Sequence, residues 1–356
     1  MGICFDLFFK VILRLLLAFY IIFIKLLFMK DIFDKCKFAD LELNSRIIRT
    51  GLWQSQDIEE VYEKYENIAK SGVGLMITEL ISIYPKDKFS EYSFKINNPH
   101  FMIEAKRLAE ICHEYNVPIL GQLEFIKFNR GIDLDIGIND LAIEDIRKIQ
   151  SDIILACQKL KMVGFDGVQL ALGNNFYLSK FINPYFNQRN DDYGGNTFNR
   201  MRIVLELIKV LKDNLGFHIS CRVNANDGRK GGIDNDESIE MCKLLEKVGA
   251  DSIQVTKPLS PLYFTKKVSD EAELLGFVER LMNEVEIPVI LGGGFNEMDH
   301  MNELLNDSSV EFLSMYRPFV AEDGFLEKWK KEGSGVSRCK MCNNCYRTKT
   351  STCYHF

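Results

Sequence analysis

Eight short apolar runs, separated mostly by stretches of helical periodicity, constrain this sequence more than any other feature. The runs are residues 47–51, 73–78, 117–123, 168–171, 219–223, 252–255, 287–291 and 312–315. Each is too short for an ordinary helix and apolar on both faces, as a strand buried on both sides must be. Residues 57–71, 104–115, 143–162, 200–215, 238–248 and 271–283 repeat their apolar positions at helical spacing. Alternating strands and helices point to a parallel sheet with helical crossovers. Eight such units over about 300 residues is the count of a (β/α)8 TIM barrel. No internal repeat or low-complexity linker divides residues 29–335, so a single α/β domain is expected there, with residues 336–356 as a Cys-rich tail.

Apolar residues make up 47% of the chain and charged ones 26%, enough for a sizeable core. A formal net charge of −6 argues against a nucleic-acid binder, because neutralising phosphates needs a basic surface. The ten cysteines do not follow the spacing of a secreted disulfide framework. Cys4, Cys36, Cys112, Cys157, Cys221 and Cys242 are scattered, several within apolar runs, where a reduced thiol is a small buried side chain. A cytoplasmic location is expected.

Residues 1–28 stand apart. The stretch 11–28 reads VILRLLLAFYIIFIKLLF, but Arg14 and Lys25 confine its uncharged core to residues 15–24. That is short of the roughly 20 residues that span a bilayer. On a helical wheel Asp6, Lys10, Arg14 and Lys25 share one stripe of about 100°. The pattern fits an apolar helix lying in a membrane surface, or a tilted span with snorkelling charges. No small-residue cleavage site follows, and Asp6 stands where a myristoylation signal needs Ser or Thr. The alternative is an upstream start, with the ordinary N-terminus at Met29.

In a barrel of this class the reactive loops follow the C-terminal ends of the strands. One such segment is long and distinctive. Residues 164–202 open on a Gly164-Phe165-Asp166-Gly167 turn, run through Val168 to Leu172, and continue as a polar, aromatic stretch to a helical pattern near Thr197. With Leu178, Phe181, Pro184, Asn187, Arg189, Asp191, Tyr193-Gly194-Gly195, Asn199 and Arg202, this string resembles the old yellow enzyme family, the NADH:flavin oxidoreductases. The resemblance covers residues 30–346. It implies a barrel carrying FMN, which NAD(P)H or an electron-transfer protein reduces and a small-molecule substrate reoxidises.

The resemblance also assigns roles. Thr50 and Gly51, at the exit of the first strand, match the loop that runs under the flavin; their small size suits close backbone approach, and equally an ordinary turn. Gln122, ending the third strand, matches a glutamine on the flavin pyrimidine ring, whose mixed edge needs both donor and acceptor. Arg222 matches an arginine beside flavin N1 and O2, where a fixed cation stabilises the reduced ring. A buried ion pair is the alternative for a charge within a strand. Gly292, Gly293 and Gly294 follow the seventh strand, and Arg317 follows the eighth. Backbone N–H groups of Gly293 and Gly294 with the Arg317 fork would hold the phosphate. The family has Gly-Arg where this chain has Tyr316-Arg317, so a phenol is added there.

The reactive residues depart from the family. Ungapped alignment from Gly164 to Pro184 puts the first substrate-anchoring histidine at Ala171, the second anchor at Asn174 and the proton-donating tyrosine at Phe176. His100, His113, His218, His300 and His355 all lie away from predicted strand C-termini. Reducing an activated alkene needs donors on the carbonyl oxygen and an acid for the α-carbon. Asn174 is therefore the expected substrate contact, and Tyr177 the acid if the loop shifts by one residue. An enone-like substrate is expected on the resemblance. The competing readings are a catalytically degenerate flavin-binding or electron-relay protein, and an apo barrel in which Tyr316 blocks the phosphate.

The tail carries Cys339, Cys342 and Cys345, then Cys353. C-x2-C-x2-C-x7-C can ligate a [4Fe–4S] centre or zinc, or stay uncoordinated. It resembles the cysteine segment of the family's larger iron–sulfur members, with one residue fewer between the second and third cysteines.

Overall fold

The structure, a computed structural model, describes residues 29–51, 57–84, 94–125, 136–174, 176–257, 271–346 and 352–355. The apolar segment 1–28 lies outside the described residues. Among the described residues no helix is long and apolar enough to cross a membrane.

An antiparallel hairpin, β1 (Cys36–Phe38) and β2 (Leu41–Leu43), precedes the barrel. The barrel strands begin with β3 (Ile47–Arg49) and β4 (Leu75–Ser82), the latter extended by the short β5 (Phe94–Lys95). They continue with β6 (Ile119–Glu124), β7 (Gly167–Ala171), β8 (His218–Asn224), β9 (Ser252–Thr256), β10 (Val289–Gly292) and β11 (Phe312–Met315). Every neighbour pair is parallel, and β11 returns to β3, which closes the cylinder.

Helices fill the crossovers: α1 (Ile58–Lys70), α2 (Phe101–Glu114), α3 (Ile143–Met162), α4 (Tyr177–Ile182), α5 (Thr197–Leu215), α6 (Asn235–Lys247) and α7 (Glu271–Met282). After the last strands come α8 (Met298–Asp307), α9 (Arg317–Ala321) and α10 (Phe325–Glu332). Local chemistry sets their ends. Asp57, Asn196 and Asp234 cap α1, α5 and α6 by accepting the N–H of Glu59, Asn199 and Glu237. Gly216 closes α5 in the left-handed conformation, φ 55°.

Strand alternation divides the interior into layers. Outward residues such as Met76, Val168, Val223 and Leu313 pack under the helices. Inward residues at the strand starts, Ile48, Leu75, Ile77, Leu120, Ile290 and Phe312, join Phe38 and Leu43 of the hairpin, which plugs that end. Above this floor sits a polar belt. Gln169 Nε2 donates to Ser220 Oγ at 3.2 Å and to Gln254 Oε1 at 3.0 Å, and Gln254 Nε2 donates to Ser314 Oγ at 2.7 Å. The polar side chains that follow lie at the opposite end, where the strands finish.

Candidate active site

The site begins where β4 breaks its own ladder. Its pairing with β6 runs Met76–Ile119 and Ile77–Leu120, then resumes at Leu80–Gln122, so β4 carries one extra residue. Thr78 fills the gap: its Oγ1 accepts the Gln122 N–H at 3.0 Å. Glu79 is thereby turned toward α1, where Tyr65 donates to Oε2 at 2.6 Å and Arg49 Nη2 pairs with Oε1. Arg49 Nη1 also donates to Ile77 O at 3.0 Å. Burial raises the Glu79 carboxyl, but the Arg49 charge and the bonds from Arg49 and Tyr65 outweigh it and hold the group below its ordinary value.

The bulge also aims the amide of Gln122. Its Nε2 donates to Gly51 O at 3.0 Å and to Thr78 O at 3.1 Å, while Oε1 accepts Arg222 Nη1 at 3.0 Å. Two carbonyls on one side and a guanidinium on the other leave no choice of amide orientation. One lone pair of Oε1 is left for a further donor. Gly51 has no room for a side chain: a Cβ would lie 2.7 Å from Glu79 N and 2.8 Å from Arg49 Nη1. Thr50 is buried, and its Oγ1 makes no hydrogen bond among the described residues. Thr50, Gly51, Gln122 and Arg222 are thus brought together at the C-terminal mouth.

Gly293 N–H donates to Ser314 O at 3.4 Å. A Cβ on Gly292 would meet Thr256 Cγ2 and Val255 O at 2.7 Å, and one on Gly293 the Phe295 ring at 2.6 Å. Those nearest neighbours do not include Tyr316, whose ring packs instead with Leu80, Ala171, Phe176 and Cys345. Arg317 is buried, and its Nη1 donates to Asn343 Oδ1 at 2.6 Å.

Ala171 and Phe176 lie in the apolar cluster at the mouth. Asn174 follows β7, half-buried, in the left-handed conformation with φ 63°. Tyr177 faces the other way, which corrects its expected place as the acid. Its ring stacks on Phe125 at 4.8 Å, its hydroxyl donates to Ile136 O at 3.3 Å, and burial pushes that hydroxyl far above its ordinary pKa. Neighbouring side chains diverge here, and Phe176 takes the inner side. His218 is at the floor, with Nδ1 2.6 Å from Asp40 Oδ1 and Nε2 3.0 Å from Ser252 Oγ.

In the tail, none of Cys339, Cys342, Cys345 and Cys353 forms a disulfide among the described residues. Cys339 Sγ accepts the Met341 N–H at 3.4 Å, and Met341 and Asn343 are left-handed, with φ 53° and 63°. Among the described residues no three His, Cys, Asp or Glu side chains converge on a common metal position. Cys345 points into the apolar cluster, and burial pushes its thiol up to about 12.

Sequence reasoning missed Thr78, the Arg49–Tyr65–Glu79 group and Asn343. Thr78-Glu79 inside an apolar run was the available sign of a bulge, and Arg49 inside a strand the sign of a buried partner. Asn343 carried no signal of its own.

A family model described as NADH:flavin oxidoreductase / NADH oxidase matches residues 132–334, more than half of the chain. An NADH oxidase of Thermoanaerobacter brockii is 24% identical over 344 residues, covering 88% of this chain and 53% of that protein. Among solved structures, a 2-naphthoyl-CoA reductase complex aligns with a TM-score of 0.77 at 18% identity, over 88% of this chain and 54% of its own. Morphinone reductase aligns at 0.72 and 19% identity, over 86% and 91%. These structural likenesses establish the fold. The chain spans about half the length of the first curated relatives it matches. With the eight-stranded barrel and the family model agreeing over the segment that holds β7, β8 and the glycine run, the chain belongs to the NADH:flavin oxidoreductase / NADH oxidase family, for which FMN is the cofactor.

Proposed function

We propose that this protein is an FMN-dependent oxidoreductase that takes hydride from NAD(P)H, or electrons from a partner protein, and passes hydride to a small electrophile, enone-like on the family resemblance. One observation carries the reading. Gln122 of β6, Arg222 of β8 and the Gly51 carbonyl just beyond β3 are locked in one hydrogen-bonded group at the mouth of a closed barrel. The residues fit a flavin on further counts: Thr50 Oγ1 is buried with no bond among the described residues, and Gly51 has no room for a side chain.

When bound, FMN supplies hydride transfer between nicotinamide and acceptor. Arg222 would set a fixed positive charge against the ring, where charge accumulates on reduction. Gln122 would hold that guanidinium and offer its remaining Oε1 lone pair to a ring N–H. Thr50 and Gly51 would approach through their backbone. Gly294 and Arg317 would take the phosphate, with Gly293, whose own N–H is given to Ser314 O, keeping the approach open. Asn174 is the proposed substrate contact, and Leu80, Ala171, Phe176 and Tyr316 would keep water from the reacting face.

A [4Fe–4S] or zinc centre at Cys339, Cys342, Cys345 and Cys353 is a finer proposal. The N–H···S bond and the left-handed Met341 and Asn343 support a thiolate-binding turn. Cys345 would first have to leave the apolar cluster, so no step is assigned to such a centre. Contact of residues 1–28 with a membrane surface rests on their composition.

A spectrum of anaerobically purified protein, with iron and zinc measured on the same sample, tests both cofactors. Two flavin bands are expected, and a colourless protein that takes up no FMN sinks the reading. Arg222→Ala is expected to lower turnover by about 100- to 1,000-fold, the usual effect of removing one charge-stabilising donor. A second reading, a flavin-binding relay without alkene reduction, is favoured by Ala171 and Phe176 in the apolar cluster. Enone turnover above free FMN that disappears in Arg222→Ala rejects it.

A further inference from the structure

Resting on the flavin reading, we infer that Asn343 is a positioning residue for the phosphate grip, and that the cysteine tail acts as a clasp across both halves of the cradle. Two independent attachments carry this. The tail first pairs with the chain just beyond the glycine run. Met298 N–H donates to Gly335 O at 2.9 Å and Ser337 N–H to Asn296 O at 2.8 Å, around an antiparallel bridge between Glu297 and Val336. It then crosses to the other half, where Asn343 Oδ1 accepts Arg317 Nη1 at 2.6 Å with both side chains buried. Cys345, two residues on, packs beside Tyr316.

A guanidinium on a long stem must be held at one end to present a fork at the other, or it loses rotamer entropy on every binding event. Arg317 has five N–H donors, and Asn343 engages one nitrogen of the fork. The left-handed backbone of Asn343, φ 63°, is what turns its amide inward from the tail. Asn is among the few residues that accept that conformation without large strain. Tail geometry and flavin retention are therefore coupled through one hydrogen bond, 26 residues apart in sequence.

Asn343→Gly keeps the left-handed backbone and deletes only the amide. Apo full-length chains are titrated with FMN and with riboflavin, which lacks the phosphate, and bound flavin is read by fluorescence quenching. Asn343→Gly is expected to bind FMN roughly tenfold more weakly, the size of one lost hydrogen bond to a charged group, and riboflavin as before. Arg317→Ala is the second variant: it should reduce the FMN preference by itself, and adding Asn343→Gly should then change nothing further. An unchanged FMN-to-riboflavin ratio in Asn343→Gly, or equal weakening for both ligands, overturns the inference while leaving the flavin reading intact. Failure of the wild-type chain to bind FMN overturns the flavin reading itself, and the inference with it.

Discussion

The guanidinium of Arg49 is 1% exposed, between β3 and α1, and answers to Glu79, Tyr65 and the Ile77 carbonyl. Glu79→Leu removes its counter-charge and strands a cation in the core. Such a break costs about 3–5 kcal/mol, to be read from the denaturation midpoint. The pair also responds to pH. The folded Glu79 pKa is depressed, so its contribution is present above the unfolded carboxylate pKa and is lost as pH falls through the folded value. Wild type should therefore lose more stability on acidification than Glu79→Gln. Gln122 and Arg222 stood out in the sequence through the family resemblance, the one as a polar side chain near the end of an apolar run and the other as a cation within a strand. Arg49 and Glu79 could not be paired, because a one-residue bulge decides which way Glu79 faces.

Elements are pinned to one another by a few polar contacts. His113, in the last turn of α2, meets Asp166 at 2.9 Å, and the same carboxylate oxygen accepts the Ile119 N–H that starts β6 at 2.8 Å. The hydrogen bond to Asp166 raises the His113 pKa above its ordinary value of 6.5. The contribution is thus fully present below the unfolded pKa and lost as pH rises through the folded one. Both groups are partly exposed, so the expected effect is under about 1 kcal/mol. It shows as a wild-type stability advantage over His113→Asn at pH 5.5 that shrinks by pH 8.5. The eight barrel strands were legible because each is buried on both faces and mostly apolar. The second ran on to Ser82 rather than stopping at Thr78, since the bulge absorbs the polar pair. The hairpin of β1 and β2 was not legible: three-residue strands are too short to display an alternation. Helices α8 and α10 escaped because glycines and polar residues crowd their flanks.

At the scale of the molecule, the β1–β2 plug makes the cylinder a blind tube. Phe38 sits against Phe312 at 4.8 Å and His218 at 5.4 Å, with the apolar floor around it. On the proposed function, a nicotinamide and an acceptor would both use the upper opening, because this floor gives neither a second entrance. If both use the same seat there, one departs before the other arrives. Initial-rate plots against NAD(P)H at several acceptor concentrations should then be parallel, and each partner in excess should slow the other; lines that intersect would mean both are held at once. A few residues near the start of the barrel sequence, nowhere near the chemistry, would in that way dictate the order of traffic.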